Sequence, residues 1–385
     1  MNRHLSKLLY CILVFTVFSS SLAFADRSWN DANNPSNFDP KYIKNFTQLP
    51  LNGAMDPQLK RGWADSYWPR INGTIADRWQ VKDSFYKDDK SPTQSQLQSM
   101  SDDQLSVLSP GEKFDIARGK LNFPIVSEIR KTYKVSTKDY HGLCYGWTHA
   151  SLNYDEPKAI DYTNPKNNIK IHFGSSDIKG LLAFYHQNYD SSIYRFIGKS
   201  CTSATHLFNL DGSCTDVHPA SFHIMMANEL GIKHRGFAAD RDPGVEIWNQ
   251  PFVKFESTID NIKTTDLSHK ATTGTKKEVY ITSILTYTNE LYDTDDPNLE
   301  DSMHVLPSND PVLGTPKQKY RTATYQYILE LNSRDQIIGG EWISDDRPDV
   351  IWTRNFKLPG KFIGEDKKTD DWSLLAELVK MATSI

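Results

Sequence analysis

YHGLCYGWTHASL, residues 140–152, decides how the chain is interpreted, because it places a cysteine where a helix is expected to begin. Gly142 provides a bend that would end one segment, and Trp147 and Ala150 recur at helical spacing after it. A thiol at a helix N-terminus lies at the positive end of the helix dipole, which favours the thiolate that attacks carbonyl carbons. The alternative is a buried Cys144 that packs as a small hydrophobic residue.

Residues 1–25 have the features of a secretory signal peptide. A basic start precedes an uninterrupted apolar run at 8–18, and AFA at 23–25 fits a cleavage signal of small residues. The apolar run is too short to span a bilayer, and no later segment replaces it. We therefore expect a soluble mature protein that begins at Asp26 and is exported to the periplasm or outside the cell.

The composition is that of a globular protein without a nucleic-acid or membrane surface. The 385 residues are 38% hydrophobic and 12% aromatic, enough for one large or two smaller domains. The formal net charge is −4 with no basic run or stripe, and removal of Arg3 and Lys7 makes the mature chain more acidic. We expect neither nucleic acid nor an anionic membrane as the main partner, and no insertion into a membrane.

Changes in composition divide the mature chain into three parts. Residues 26–100 form an aromatic-rich segment that we expect to pack on the core, and residues 101–260 form the candidate catalytic core, which opens with helix-capping signals. Residues 261–385 show the alternation of apolar and polar positions that is typical of strands, before a final amphipathic helix at 372–381. The pattern predicts an α+β fold with a β-rich C-terminal part.

Three cysteines remain once the signal peptide, with Cys11, is removed. Cys201 and Cys214 are close in sequence and are the natural disulfide pair in an oxidising compartment, where the bond would add about 3 kcal/mol of stability on the chain-entropy model. Cys144 is then the odd thiol. An odd cysteine in a secreted protein indicates either pairing between molecules or a reactive nucleophile.

A cysteine nucleophile needs an imidazole beside it and a third group that orients this imidazole. His223 begins a structured segment between apolar neighbours, and Asp240 ends the next predicted strand, so both join Cys144 in a candidate triad. Two alternatives are open, namely a histidine at 223 that only fills the core, and His218 as the base. His149 follows the thiol by five residues, a spacing that turns it away on a helix.

An acidic stretch, YDTDDPNLED at residues 292–301, is a weak candidate for calcium. Asp293, Asp295 and Asp296 offer the hard oxygen ligands that Ca²⁺ prefers, but the stretch lacks the glycine and the spacing of an EF-hand. A solvated acidic turn is the alternative interpretation. Thiol chemistry requires no metal or other cofactor, so calcium would serve structure or activation.

Several motifs resemble the transglutaminase elicitor family, secreted and cell-wall proteins of oomycetes and some bacteria. In order, they are WADSYWPRINGTIADRW (63–79), LSPGEKFDIARG (108–119), HGLCYGWTHASL (141–152), FGSSDIKGLL (173–182), FIGKSC (196–201), ASFHIMMANELG (220–231), AAD (238–240), VEIWNQP (245–251) and YILELNSRDQIIGGEW (327–342). The resemblance covers most of the mature chain and implies a papain-like, transglutaminase-like thiol fold. It places the nucleophile at Cys144, with His223 and Asp240 where the base and the orienting residue are expected.

The resemblance implies acyl transfer between protein side chains. Cys144 would attack the γ-carboxamide of a peptide-bound glutamine and release ammonia, and a lysine ε-amine would convert the thioester into an isopeptide bond. The backbone N–H of Cys144 is the expected oxyanion donor. Two alternatives stay open: a thiol hydrolase (glutamine deamidase or cysteine peptidase) that uses water as the acceptor, and a non-catalytic secreted protein whose aromatic segment binds a polymer.

One motif departs from the animal transglutaminases. Their catalytic histidine lies in a His-x-Trp-Asn-Glu strand, which is matched here by EIWNQ at 246–250 with Glu246 at the histidine position. Either His223 reaches the thiol from a different element or the base is elsewhere, with His218 and Glu246 as the other candidates. Asn249 is a second candidate for the orienting role.

Overall fold

The chain is described here by a computed structural model. The described residues are 27–79, 90–132, 141–189, 194–199, 216–241, 246–290, 320–354 and 372–384. Four features of the sequence lie outside them: the predicted signal peptide at 1–25, Cys201, Cys214, and the acidic stretch at 292–301.

Most of the α-helices lie in the first half of the described chain. They are α1 (Gln94–Ser99), α2 (Asp102–Ser106), α3 (Pro110–Ala117), α4 (Pro124–Thr132), α5 (Cys144–Asn153), α6 (Ser175–Asn188), α7 (Pro219–Met226) and α8 (Ser373–Thr383). The capping signals that open the predicted catalytic core are capping boxes in the structure: Ser101 with Gln104 at the start of α2, and Ser109 with Glu112 at the start of α3. Helix α7 continues into a π-helical turn at Ala227–Ile232.

The strands form a large antiparallel sheet and a separate hairpin. The strands are β1 (Asn52–Ala54), β2 (Ile160–Thr163), β3 (Lys170–Phe173), β4 (Tyr194–Gly198), β5 (Phe237–Asp240), β6 (Asn249–Lys263), β7 (Lys277–Thr288), β8 (Tyr320–Leu331), β9 (Ile337–Trp342) and β10 (Val350–Arg354). The order in the large sheet is β4-β10-β5-β6-β7-β8-β9, with β1 paired to β6, while β2 pairs with β3. The alternation of the C-terminal sequence becomes β7 and β8, and β6 extends across the domain boundary predicted at residue 260.

The buried hydrophobic side chains form two main cores. One lies among the helices and includes Trp63, Trp147, Ile178, Leu181 and Trp372. The other lies between α7 and the large sheet and includes Phe222, Ala239, Phe252, Tyr327 and Ile351. Helices α5 and α6 approach so closely at Gly146 that a Cβ there would collide with the carbonyl oxygen of Ala183. The described residues thus combine helices with an antiparallel sheet, as the α+β prediction requires.

The aromatic-rich N-terminal segment contacts both halves of the molecule. The indole of Trp63 donates to the carbonyl of Tyr154 at 3.0 Å, just beyond α5, and the amide of Gly62 donates to the carbonyl of Ser151 at 2.7 Å. Strand β1 pairs with β6, so the same segment also joins the large sheet. These contacts position α5 against the sheet.

Within the described part of the chain, no helix combines the length and the apolar character needed to cross a membrane.

Candidate functional site

Cys144 is the first residue of α5, as the sequence predicts, and it is a half-buried free thiol. The bend before it is held by the N-terminal segment, because the amide of Leu143 donates to the carbonyl of Tyr67 at 2.6 Å. A side chain at Gly142 would collide with the same backbone carbonyl. The approach of Tyr67 therefore explains why a glycine precedes the helix at this point.

The sulfur contacts the first residue of β6 and the loop that leads into it. The side-chain amide nitrogen of Asn249 lies 3.8 Å from Cys144 Sγ, and the thiol is 3.9 Å from the carbonyl oxygen of Ile247, which it can reach as a donor. The hydroxyl of Thr148, one turn along α5, donates to the carbonyl of Asn249 at 2.9 Å. Contacts at Cys144 and at Thr148 thus hold the first turn of α5 against the start of β6.

Trp352 fixes the orientation of the Asn249 amide. Its indole N–H donates to Asn249 Oδ1 at 2.7 Å, so the NH₂ group must face the sulfur. Trp352 is itself held in place, since its ring stacks on Tyr145 at 4.4 Å between centroids and meets His149 edge-on at 3.9 Å. The amide that faces Cys144 is therefore buttressed by an aromatic cluster.

Burial raises the pKa of the Cys144 thiol above its usual value, and the nearby negative charge of Glu290 raises it further. The backbone and side-chain N–H groups of Asn249 and the backbone of Tyr145 lower the pKa, but by less than burial raises it. The resting thiol in this structure is therefore protonated at neutral pH. The donors around it favour the thiolate once the proton has left.

His223 lies in the core between α7 and the sheet. It is fully buried, its Nδ1 is 2.8 Å from the hydroxyl of Tyr327, and its ring packs against Phe46 at 5.8 Å between centroids. Burial lowers its pKa to about 3, so the ring is neutral. These contacts are those of a histidine that fills the core.

The large sheet separates His223 from the thiol. Along β5 and β10, Ala239 and Ile351 belong to the core shared with α7. The neighbouring Ala238 and Trp352 belong to the cluster that includes Tyr145 of α5. Because successive side chains of a strand point to opposite faces, the helix of His223 and the helix of the thiol pack on opposite faces. The structure thus does not bring His223 to Cys144.

Asp240, in contrast, lies at the site. It is fully buried at the end of β5, directly opposite Asn249 in the β5–β6 ladder, so both side chains point to the same face. Its Oδ1 accepts a hydrogen bond from the backbone N–H of Trp248 at 3.2 Å. Of the predicted triad, Cys144 and Asp240 are therefore brought together, with Asn249 between them.

The other histidine considered as a base, His218, is also elsewhere. Its Nε2 is 2.9 Å from the carbonyl of Arg27, its ring meets Trp29 edge-on, and burial lowers its pKa to about 4. His149 is buried one turn along α5 between Tyr145 and Trp352. Among the described residues, no imidazole lies within hydrogen-bonding distance of Cys144 Sγ.

Two residues at the site were not found by sequence reasoning. Trp352 reaches Asn249 only because β10 pairs with β5. Glu290, whose charge acts on Cys144, comes near the start of β6 only because β7 returns along β6. Neither residue stands in a motif whose spacing relates it to Cys144. The ring pair of Tyr67 and Trp248, 5.6 Å between centroids, likewise joins two distant segments next to the thiol.

Within the described ranges, no group of three or more His, Cys, Asp or Glu side chains is arranged to hold a metal ion. The calcium candidates Asp293, Asp295 and Asp296 fall outside these ranges.

Comparisons with known proteins place this site in a matched region. The model of the family described as "Transglutaminase elicitor" matches residues 126–361, which include both Cys144 and Asn249. The fold is similar to the crystal structure of the GP42 transglutaminase from Phytophthora sojae, with a TM-score of 0.65, 21% identity, and coverage of 93% of this chain and 99% of that chain. No curated protein matches the chain.

Proposed function

Because the chain belongs to the transglutaminase elicitor family, we propose that it is a protein-glutamine γ-glutamyltransferase with Cys144 as the nucleophile. The observation that supports this most directly is the free thiol at the first position of α5 with the Asn249 amide facing its sulfur. The substrates are protein glutamine and lysine side chains. The protein acts after export to the periplasm or outside the cell, an assignment that rests on residues 1–25.

The proposal includes a papain-like arrangement of the catalytic part. A helix that begins with a thiol packs against antiparallel strands, and the group that faces the sulfur comes from one of these strands. Helix α5 and the start of β6 have this relationship, fixed by the hydrogen bond of Thr148 to Asn249. The likeness to the Phytophthora structure supports the same fold.

In the first half-reaction, the sulfur of Cys144 attacks the γ-carboxamide carbon of a glutamine side chain. A C–S bond forms, the C–N bond breaks, and ammonia leaves with the proton of the thiol. In this proposal the backbone N–H of Cys144, at the N-terminus of α5, donates to the oxyanion. The amide of Asn249 stabilises the negative charge on sulfur before attack and again when sulfur leaves.

In the second half-reaction, a lysine amine attacks the thioester carbon. A C–N bond forms, the C–S bond breaks, and the amine proton returns to sulfur, which regenerates the thiol. Water in place of the amine would complete a deamidation instead. The protein is a transferase to the extent that the amine reaches the thioester before water does.

Asp240 is a positioning residue in this proposal. Its carboxylate accepts the backbone N–H of Trp248 and thereby holds the start of β6, where Asn249 lies. His223 has no part in it, since its ring is on the other side of the sheet.

A direct test uses the mature chain from Asp26 with dimethylcasein as the glutamine donor and fluorescent cadaverine as the acceptor, with calcium and with chelator. Cys144-dependent incorporation of the amine, with release of ammonia, supports the transferase. Ammonia without incorporation indicates a deamidase, and new peptide termini indicate a peptidase. If the wild type and Cys144→Ala give the same background for all three products, the protein is a non-catalytic interaction protein.

A further inference from the structure

The backbone at residues 65–70 holds the bend that leads into α5. The amide of Leu143 donates to the carbonyl of Tyr67 at 2.6 Å, and the amide of Arg70 donates to the carbonyl of His141 at 2.7 Å. Both hydrogen bonds join main-chain groups, so they fix the backbone of the bend itself. The residue directly before the thiol is therefore positioned by a segment that is distant in the sequence.

Leu143 is held on both sides. Its amide is bonded to Tyr67, and its carbonyl accepts the amide of Trp147 at 2.8 Å. That carbonyl and the N–H of Cys144 belong to the same planar peptide group. The hydrogen bonds to Leu143 thus set the direction of the Cys144 N–H, the group that donates to the oxyanion in the proposed mechanism.

Trp68, the residue after Tyr67, has a strained backbone. Its φ is 51°, in the left-handed region that a bulky residue rarely adopts, and such a conformation persists only where the surrounding contacts hold it. The backbone N–H of Trp68 donates to the hydroxyl of Ser66 at 3.0 Å, and its buried indole donates to Asp65 Oδ2 at 2.9 Å. These two hydrogen bonds hold the strained turn and, with it, the carbonyl of Tyr67.

Asp65 joins this turn to α6. The residue is 1% exposed, and its other carboxylate oxygen, Oδ1, accepts the hydroxyl of Ser176 at 2.8 Å. The ammonium of Lys179, also on α6, donates to the carbonyl of Ala64 at 2.9 Å. One oxygen of the carboxylate is thus bonded to α6 and the other to the indole of Trp68. The position of the turn is consequently set by α6, which itself packs against α5.

We propose that Asp65 and Trp68 are positioning residues for the acyl transfer. Their hydrogen bond keeps the carbonyl of Tyr67 on the amide of Leu143. This contact fixes the direction of the Cys144 N–H that stabilises the oxyanion. The inference rests on the proposed transferase function, and it assigns part of the rate to a pair of side chains in the N-terminal segment.

The test removes one hydrogen bond and keeps the ring. Trp68→Phe takes away the donor to Asp65, so the kcat of Cys144-dependent ammonia release from dimethylcasein should fall about tenfold with KM unchanged, because small displacements of a reacting group cost rate rather than binding. The matched control is Trp79→Phe, which also loses an indole hydrogen bond to a buried carboxylate, that of Asp177 at 3.1 Å. Its kcat should equal that of the wild type.

Variants of the carboxylate separate positioning from stability. Asp65→Ala should reproduce the loss of kcat, and Asp65→Asn should restore most of it, because the amide oxygen can accept from the indole while the NH₂ group donates to Ser176. Asp115→Ala removes another fully buried carboxylate, one that bonds to Arg118 and to the amide of Ile125. It should lower the stability of the fold and leave the kcat of the folded protein unchanged.

Hydrogen exchange reads the same contact without the reaction. The amide of Leu143 should exchange faster in Trp68→Phe than in Trp79→Phe, since only the first variant loosens its acceptor. Equal exchange in these two variants, equal kcat, or a loss confined to KM would overturn the inference while wild-type ammonia release upholds the transferase. Trp68→Phe decides the matter if Asp65→Ala does not fold. If the wild type releases no ammonia, the proposed function fails and the positioning role fails with it.

Discussion

The side-chain amide of Asn249 faces the sulfur of Cys144 at 3.8 Å because the indole of Trp352 occupies its oxygen. An amide donor stabilises a thiolate but does not remove a proton from a thiol. The same site raises the pKa of the thiol by burial. The geometry therefore supports a sulfur that is protonated at rest, rather than one that is held as a thiolate.

Replacement of the nucleophile is the first prediction. Cys144→Ala should reduce amine incorporation and ammonia release to the uncatalysed background, because no other thiol lies in the described site. Its thermal midpoint should stay within a few degrees of the wild type, since the side chain is small and half-buried. Activity that survives the substitution would remove Cys144 from the mechanism.

The pH dependence of thiol modification is the second prediction. Because the pKa of Cys144 is raised, its thiolate fraction at pH 7 is small and grows about tenfold for each pH unit below that pKa. Iodoacetamide should therefore modify the free enzyme slowly at neutral pH, with a rate that climbs into the alkaline range. A rate already at its plateau at pH 6 would contradict this and indicate an imidazole beside the thiol.

The same measurement tests the charge of Glu290. Its carboxylate raises the pKa of Cys144, so Glu290→Gln should shift the alkylation profile to lower pH. Glu256→Gln, which removes an equally negative but distant charge, should leave the profile in place. A shift toward higher pH, or identical shifts in both variants, would show that the carboxylate does not act on the thiol.

The fourth prediction separates stability from catalysis at His223. His223→Ala leaves a cavity and takes a partner from the hydroxyl of Tyr327, so it should cost roughly 2–4 kcal/mol of unfolding free energy. The kcat of the folded fraction should remain near that of the wild type, because the sheet lies between this ring and Cys144. Urea unfolding and active-site titration measure the two effects separately.

Acid should weaken the fold through the same residue. The pKa of His223 is depressed to about 3 in the folded state, so the unfolded state binds the proton more tightly. Its contribution is fully present above the unfolded pKa and is lost as the pH falls from about 6.5 towards 3. At pH 5 the stability lost through this residue is about 2 kcal/mol. His223→Ala should lack this part of the acid sensitivity. An equal loss between pH 7 and pH 5 in both proteins would refute the assignment.

The start of the thiol helix was predictable because its signals are local. Gly142 and the helical spacing after Cys144 indicate the bend and the helix without knowledge of any distant residue. The role of His223 was not predictable, since apolar neighbours fit a core histidine and a catalytic one equally well. The choice depends on which face of β5 packs against which helix, and this is set by the pairing of β5 with β10 more than a hundred residues later.

The indole of Trp352 provides the last prediction, and Trp342 provides its control. Trp352→Phe keeps an aromatic ring but leaves Asn249 Oδ1 without its donor, so the amide can turn its oxygen toward the sulfur. Amine incorporation should fall about tenfold and the alkylation profile should move to higher pH, because the donor to the thiolate is lost. Trp342→Phe also loses one indole hydrogen bond, at 2.8 Å to the carbonyl of Val217, but on the far side of the sheet. Both variants should lose about 1–3 kcal/mol of stability, and only Trp352→Phe should change the thiol. Equal activities in the two variants would mean that the orientation of Asn249 does not matter for the chemistry.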